Sequence, residues 1–398
     1  MRELMIEAEY APFAPDWFLE AASRWFTVQK TPCLQTAEAV IGEPALEALQ
    51  DAPQLRWQQM TWAGADRYLH GGFPRGVLLT TASGAFGETI AEHALGMLLA
   101  VCRRLPAYAR QGSWNDLGSE RRVAGGTALI FGAGDLGGSI ARRLQAFGVR
   151  TIGVCRRTMP ERPGFDRLVR LDEAEALLPA ADFVLGAMPQ SPETAGWLSA
   201  ERLALLPQDA VVVNVGRGSF LDADALAREL QSGHLFGAGL DVTDPEPLPA
   251  AHPLWSLPNC ILTPHVAGVS FGHLPQTEER IWRICAENLE RYAAGEPLRN
   301  LVREIPLLRA ALRPARPGVC IWAIFLPRCS HGFPSGRRAG VCCCASRTLT
   351  RSAAVRPMPS SCGGTLAGSG WTGTARCRRR AREARSMPHI LQGWRSRA

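Results

Sequence analysis

No run in the sequence approaches the roughly 18 consecutive apolar residues that a bilayer-spanning helix needs, which argues against an integral membrane protein. The opening ten residues carry three glutamates where a secretory leader would be basic, so a cytoplasmic location is expected. Lysine is almost missing: Lys30 stands alone against 43 arginines in 398 residues, the composition of a GC-rich gene. Acidic residues are missing from one end only. Residues 311–398 hold sixteen arginines and the single acid Glu383, a net +15, so the whole-chain charge of +7 leaves −8 for residues 1–310. The body is therefore acidic, and the overall basic balance supplies no argument for nucleic-acid binding. Cysteine is sparse in the body, with Cys33, Cys102, Cys155, Cys260 and Cys285 scattered along it and seven more in the tail. That usage points to reduced, buried thiols rather than a disulfide framework.

What is present is a core-forming pattern over most of the chain. Hydrophobic residues make up 46% and charged residues 20%, enough apolar material for two domains. After Cys33, short apolar runs alternate with longer amphipathic ones, the signature of βα units feeding a parallel sheet. "EAVIG" (38–42), "LRWQQM" (55–60) and "GVLLTT" (76–81) read as strands. The segment "ETIAEHALGMLLAVCRRL" (88–105) has helical spacing and no breaker before Pro106, which predicts one long helix bridging two domains. Six further strands are expected at 127–131, 149–154, 182–187, 210–215, 237–241 and 260–263, with crossover helices between them. An amphipathic helix over 276–294 is placed to return to the first domain. No internal repeat is visible. Past about residue 310 the periodicity collapses, and residues 311–398 read as a low-complexity Arg/Cys-rich tail, disordered or out of frame. A functional basic arm at "RCRRRAREAR" (376–385) is the competing reading, with nucleic acid its partner.

The chemistry concentrates after the predicted strands. "IFGAGDLGG" (130–138) carries G-x-G-x-x-G between a strand and a helix. Gly132 permits the tight turn, Gly134 the approach of a pyrophosphate, and Gly137 close packing of helix on strand. Asp135 and Leu136 open that helix, whose free N–H groups would face the phosphates. An NAD enzyme usually places a carboxylate at the end of the next strand, after Val154; here stand Cys155, Arg156 and Arg157. Nothing there repels a 2′-phosphate and two arginines are available to pair with it, so NADP(H) is favoured, with NAD(H) possible.

Three more motifs narrow the reaction. "NVGRG" (214–218) puts Arg217 at a strand end, "DVTDPEPLP" (241–249) puts Glu246 in a proline-rich loop, and "LTPHVAG" (262–268) puts His265 in another. Reducing a 2-keto acid needs a cation for the carboxylate and carbonyl, a proton donor as hydride arrives, and a group that keeps the donor protonated. Arginine, histidine and glutamate supply these in turn, with no metal required.

With these motifs, "WAGADR", "AEHALGMLLA", "MPQSPETAGWL" and "ENLERYAAGEPLRNLV", residues 39 to 303 resemble the D-isomer-specific 2-hydroxyacid dehydrogenases, and most closely the glyoxylate and hydroxypyruvate reductases among them. The resemblance implies an α/β fold: a doubly wound parallel-sheet (Rossmann) domain over 99–269 and a flavodoxin-like substrate domain from 1–98 and 270–310. It implies catalysis by Arg217, Glu246 and His265, and substrate held by Arg217 and by backbone amides near Ala63 and Gly64. Asp241 is implied to contact the nicotinamide amide, with Met188, Pro189, Val215 and Gly216 completing the cofactor site. A small 2-keto or 2-hydroxy acid and a second copy of the chain are the expected partners. Trp62 and Trp114 are candidates for shaping the pocket, Trp114 from a partner subunit. Formate dehydrogenase activity is disfavoured, because those relatives carry glutamine where Glu246 stands. A dinucleotide-sensing corepressor and a phosphoglycerate dehydrogenase are the alternatives. The first 38 residues match the family's opening strand poorly.

Overall fold

The computed structural model describes residues 2–69, 71–157 and 161–303; the readings of the tail at 311–398 lie outside these residues. Apolar runs become strands of two sheets. The first contains β1 (Arg2–Ile6), β2 (Phe26–Val28), β3 (Ala39–Ile41), β4 (Trp57–Gln59), β5 (Leu78–Thr80) and β13 (Leu301–Arg303), in the order β13-β5-β4-β3-β1-β2. All pair in parallel except β13, which runs antiparallel to β5. The order 2-1-3-4-5 of its parallel strands is that of flavodoxin. An opening strand therefore exists where the sequence suggested a poor match. Leu4 and Ile6 bury their side chains while their neighbours stay partly exposed, the alternation expected of a half-covered strand.

The second sheet is entirely parallel: β6 (Thr127–Phe131), β7 (Arg150–Cys155), β8 (Arg167–Arg170), β9 (Phe183–Gly186), β10 (Val211–Asn214), β11 (Gly237–Leu240) and β12 (Cys260–Leu262), in the order β12-β11-β10-β9-β6-β7-β8. It has one strand more than the six expected. The addition, β8, is an edge strand whose two outer arginines are exposed and whose Val169 alone is buried, too little apolar surface to register as a strand. The strand order reverses beside β6, which creates the crevice where such sheets hold a dinucleotide. The fold is thus the doubly wound α/β arrangement with a flavodoxin-like partner.

Two helices connect the sheets. Gly87–Cys102 packs Met97, Leu98 and Val101 into the core beneath β6 and β10. It ends at Cys102, short of the predicted Leu105, and a separate turn of helix, Leu105–Arg110, follows. Pro275–Ala294 carries Ile281, Trp282, Cys285 and Leu289 back onto the first sheet against Phe18, Phe26 and Trp57. Pro275 suits its first turn, where an N–H has no intrahelical acceptor, and Gly295 in a left-handed conformation closes it. The helices are joined where they start, by Thr89 Oγ1 and Thr277 Oγ1 at 2.6 Å and by Arg280 donating to the Ala85 carbonyl at 3.1 Å. None of the helices among the described residues is long and apolar enough to cross a membrane.

Candidate active site

The carboxyl ends of β10, β11 and β12 release the three loops that carry Arg217, Glu246 and His265. Asp241, the first residue after β11, organises them. Its side chain is only 2% exposed, and an ionised carboxylate at that depth needs donors on both oxygens. Oδ1 accepts from Thr263 Oγ1 at 2.6 Å and the Val266 N–H at 3.0 Å, and Oδ2 accepts from the Ala267 N–H at 3.0 Å. The His265 N–H donates to the Asp241 carbonyl at 2.8 Å. From the connecting helix, His93 Nε2 meets Thr263 Oγ1 at 3.0 Å. These bonds hold His265 at φ 54°, a left-handed conformation that costs a non-glycine residue about 1–3 kcal/mol and persists only where its surroundings enforce it.

Held this way, His265 places Nδ1 at 2.7 Å from Glu246 Oε1. Glutamate accepts and does not donate when ionised, which assigns the proton to Nδ1 and leaves Nε2 as the ring nitrogen for a substrate. His265 lines a cavity of about 350 Å³ between the two sheets, together with Arg217, Asp241 and Val215.

Arg217 faces the first sheet. Asp66 Oδ2 accepts from Arg217 Nε at 2.8 Å and Nη2 at 2.7 Å, and the Gly216 carbonyl accepts from Nη1 at 2.8 Å. A guanidinium has five N–H groups in a planar fork. Among the described residues three are used and two, on Nη1 and Nη2, have no partner, a geometry matched to a carboxylate. The guanidinium lies against the loop Ala63–Gly64, and neither of those two amide N–H groups has an acceptor among the described residues.

That loop is fixed from below by Glu43, whose carboxylate accepts from the Thr61 N–H at 2.7 Å, Thr61 Oγ1 at 3.1 Å and the Trp62 N–H at 3.3 Å. Burial pushes the Glu43 carboxyl up, with the hydrogen bonds opposing that shift. Burial, with the adjacent Glu43 charge, also pushes Glu7 up to about 7. Trp62 lines the cavity and donates from Nε1 to the Tyr10 hydroxyl at 3.1 Å. Trp114 is wholly exposed and does not line that cavity.

The glycine fingerprint fits a dinucleotide. Gly132 has φ +110°, and a Cβ on Gly137 would stand 1.7 Å from the Gly132 carbonyl oxygen, whereas nothing lies within 4 Å of a Cβ on Gly134. Tight turn, close packing and open approach thus fall at the three glycines in turn. The N–H groups of Asp135, Leu136 and Gly137 have no backbone acceptor at the start of the helix Asp135–Ala146, which suits a pyrophosphate. Met188 and Pro189 follow β9 beside the same crevice, and Gly216 packs against the Met188 backbone. At the end of β7 Cys155 is buried, and the exposed Arg156 and Arg157 line a second cavity with Arg170 and Arg202. Arg170 is committed to Asp172 at 2.8 Å and Arg202 to Glu175 at 2.8 Å, while Arg156 has only Glu193 at 3.9 Å.

Arg217, Glu246, His265, Asp241, Ala63 and Gly64 are thus brought to one cleft, and the glycine fingerprint with Arg156 and Arg157 to the adjoining crevice. Sequence reading did not single out Asp66, Glu43, Thr263 or Arg170. Asp66 lies inside the motif "WAGADR", but its link to Arg217 spans 151 positions and leaves no local signal.

A two-sheet α/β oxidoreductase using a nicotinamide dinucleotide is the class defined by this fold and cleft. Residues 95–267 match the family model for the D-isomer specific 2-hydroxyacid dehydrogenase NAD binding domain. A glyoxylate reductase from Korarchaeum cryptofilum is 33% identical over 271 residues, covering 65% of this chain and 79% of the relative. Among solved structures, a D-isomer specific 2-hydroxyacid dehydrogenase family protein from Aeromonas salmonicida aligns with TM-score 0.68 at 31% identity, covering 76% of this chain and 99% of the other. An NADPH-dependent glyoxylate/hydroxypyruvate reductase from Sinorhizobium meliloti, in complex with NADP and sulfate, aligns with TM-score 0.64 at 26% identity, covering 76% and 98%. The chain belongs to the D-isomer-specific 2-hydroxyacid dehydrogenase family and is an NAD(P)-dependent oxidoreductase.

The approach of Arg217 to the Ala63–Gly64 loop yields a direct test. A Cβ on Gly64 would sit 1.8 Å from Arg217 Nη2, so Gly64→Ala must push the guanidinium aside while leaving both cores intact. We expect KM for a 2-keto acid to rise about tenfold or more, the worth of one charged hydrogen bond, with an unchanged melting temperature. Steady-state kinetics and a thermal melt check this.

Proposed function

We propose that the chain reduces 2-keto acids, glyoxylate and hydroxypyruvate among them, to D-2-hydroxy acids, with NADPH the preferred reductant. The observation that carries the reading is His265, paired with Glu246 at 2.7 Å and lining one cavity with an Arg217 two of whose N–H groups lack partners among the described residues. When bound, the reduced nicotinamide supplies hydride to the carbonyl carbon. Arg217 receives the substrate carboxylate and polarises the carbonyl, and the amides of Ala63 and Gly64 hold the carboxylate from the other side. His265 gives its Nε2 proton to the carbonyl oxygen as negative charge develops there. Glu246 orients the imidazole through Nδ1 and stabilises its protonated form. Asp241 fixes the turn that carries His265 and offers its remaining lone pairs to the nicotinamide amide.

The working division of the chain assigns 1–98 and 270–310 to the substrate domain and 99–269 to the dinucleotide domain. Gly132, Gly134, Asp135, Leu136 and Gly137 hold the pyrophosphate; Met188, Pro189, Val215 and Gly216 line the rest of the cofactor path. The preference for NADPH rests on Arg156 and Arg157, which are the least committed arginines of their cavity. The relative from Sinorhizobium meliloti, named NADPH-dependent, points the same way. A homodimer in the cytoplasm is the setting we favour.

Two outcomes follow. His265→Ala should lower the rate of glyoxylate reduction by about 100- to 10,000-fold, and Glu246→Gln by less, with NADPH affinity retained in both. Stopped-flow hydride transfer and cofactor fluorescence titration read these; a His265→Ala rate near wild type would overturn the assignment. Wild type should show a higher kcat/KM for NADPH than for NADH, and joint replacement of Arg156 and Arg157 by alanine should lower that ratio about tenfold or more. An equal loss for both cofactors would mean that the arginines do not read the 2′-phosphate.

A further inference from the structure

We infer that the cleft is built for monocarboxylic 2-keto acids bearing a bulky apolar side chain, branched or aryl, with glyoxylate as its minimal and poorest substrate. The inference rests on the reductase reading above and names its substrate class. The cavity of about 350 Å³ receives the nicotinamide beside Asp241 and Val215 as well as the substrate, so its volume alone does not set the substrate's size and its lining does. Its lining joins the chemistry, Arg217 and His265, to an apolar wall that includes Tyr10, Trp62, Val269 and Phe271. Glyoxylate has no side chain, so it would leave that wall against water.

The wall is fixed. Trp62 is held through its Nε1 to the Tyr10 hydroxyl at 3.1 Å. The Phe271 ring lies 4.9 Å from that of Tyr10, 5.6 Å from Phe13 and 6.1 Å from the fully buried Trp282. Yet Trp62 remains 56% exposed and Val269 40%, and rigid apolar groups left open beside polar catalytic residues are the usual make-up of a ligand pocket. The charges set the other half of the selectivity. Arg217 is the sole arginine or lysine among the described residues that line the cavity, and Glu9 lines it as well. With Arg217 holding the first carboxylate and His265 directed at the carbonyl oxygen, a second carboxylate on the substrate would have no arginine or lysine to pair with among these lining residues, while Glu9 adds like charge.

The experiment uses the full-length chain with NADPH and compares glyoxylate, pyruvate, 4-methyl-2-oxopentanoate, phenylpyruvate and 2-oxoglutarate. Each buried methylene is worth roughly fourfold. The specificity constant should therefore climb by about 30-fold or more from glyoxylate to 4-methyl-2-oxopentanoate and phenylpyruvate, with 2-oxoglutarate below pyruvate. Trp62→Ala, at an exposed position that the cores do not need, should lower the ratio of phenylpyruvate to glyoxylate specificity constants about tenfold, chiefly through KM for phenylpyruvate. Highest specificity for glyoxylate, or an unaltered ratio in Trp62→Ala, would overturn the inference and leave the reductase reading standing. No turnover of any keto acid would overturn both.

Discussion

The ion pair between Arg217 and Asp66 is the contact on which the site depends. Each partner belongs to a different sheet: Arg217 follows β10 of the second, and Asp66 opens the short helix after β4 of the first. Parallel strands present their carboxyl ends to a ligand crevice, and here the cleft is bridged by Arg217, which we propose receives the substrate carboxylate. Asp66 takes the inner edge of the guanidinium and leaves the outer edge free. It neutralises part of the charge, but it also removes the rotamer freedom that a long arginine would otherwise lose on binding substrate.

The second sheet contributes its groups through a different device, a buried carboxylate. Asp241 is shielded from water and satisfied by donors from Thr263, Val266 and Ala267, so the turn at His265 is specified by the desolvation cost of leaving that charge unpaired. Glu43 does the same on the first sheet for Thr61 and Trp62. Both acids, Asp241 buried and Glu43 partly so, act through backbone N–H groups. Both hold a loop, Trp62–Gly64 in one case and His265 in the other, that faces the cavity from its own side.

Much of this was legible in the sequence where chemistry and local pattern coincide. The glycine fingerprint lies between a strand and a helix, and "NVGRG", "DVTDPEPLP" and "LTPHVAG" each follow a buried apolar run, so strand-end loops could be assigned from spacing alone. The strands that escaped are those with little apolar content. β2 and β13 have three residues each, β8 buries only Val169, and the alternation of Leu4 and Ile6 in β1 is short and flanked by charge. The residues that escaped act at a distance. Asp66 and Glu43 are ordinary acids in sequence and acquire meaning only when folding brings them to Arg217 and to the Thr61–Trp62 backbone. Cys155, Arg156 and Arg157 were conspicuous because a carboxylate is missing, and β7 does end at that point, with the two arginines beside a cavity.

The most direct test of the cross-cleft tether is the pair of constants KM for a 2-keto acid and Kd for NADPH in Asp66→Ala. Loss of the tether should raise KM about tenfold or more and leave Kd for NADPH at its wild-type value, because the Asp66 carboxylate bonds Arg217 rather than the glycine fingerprint. An unchanged KM would contradict the account, since Arg217 would then find its working position without the first sheet.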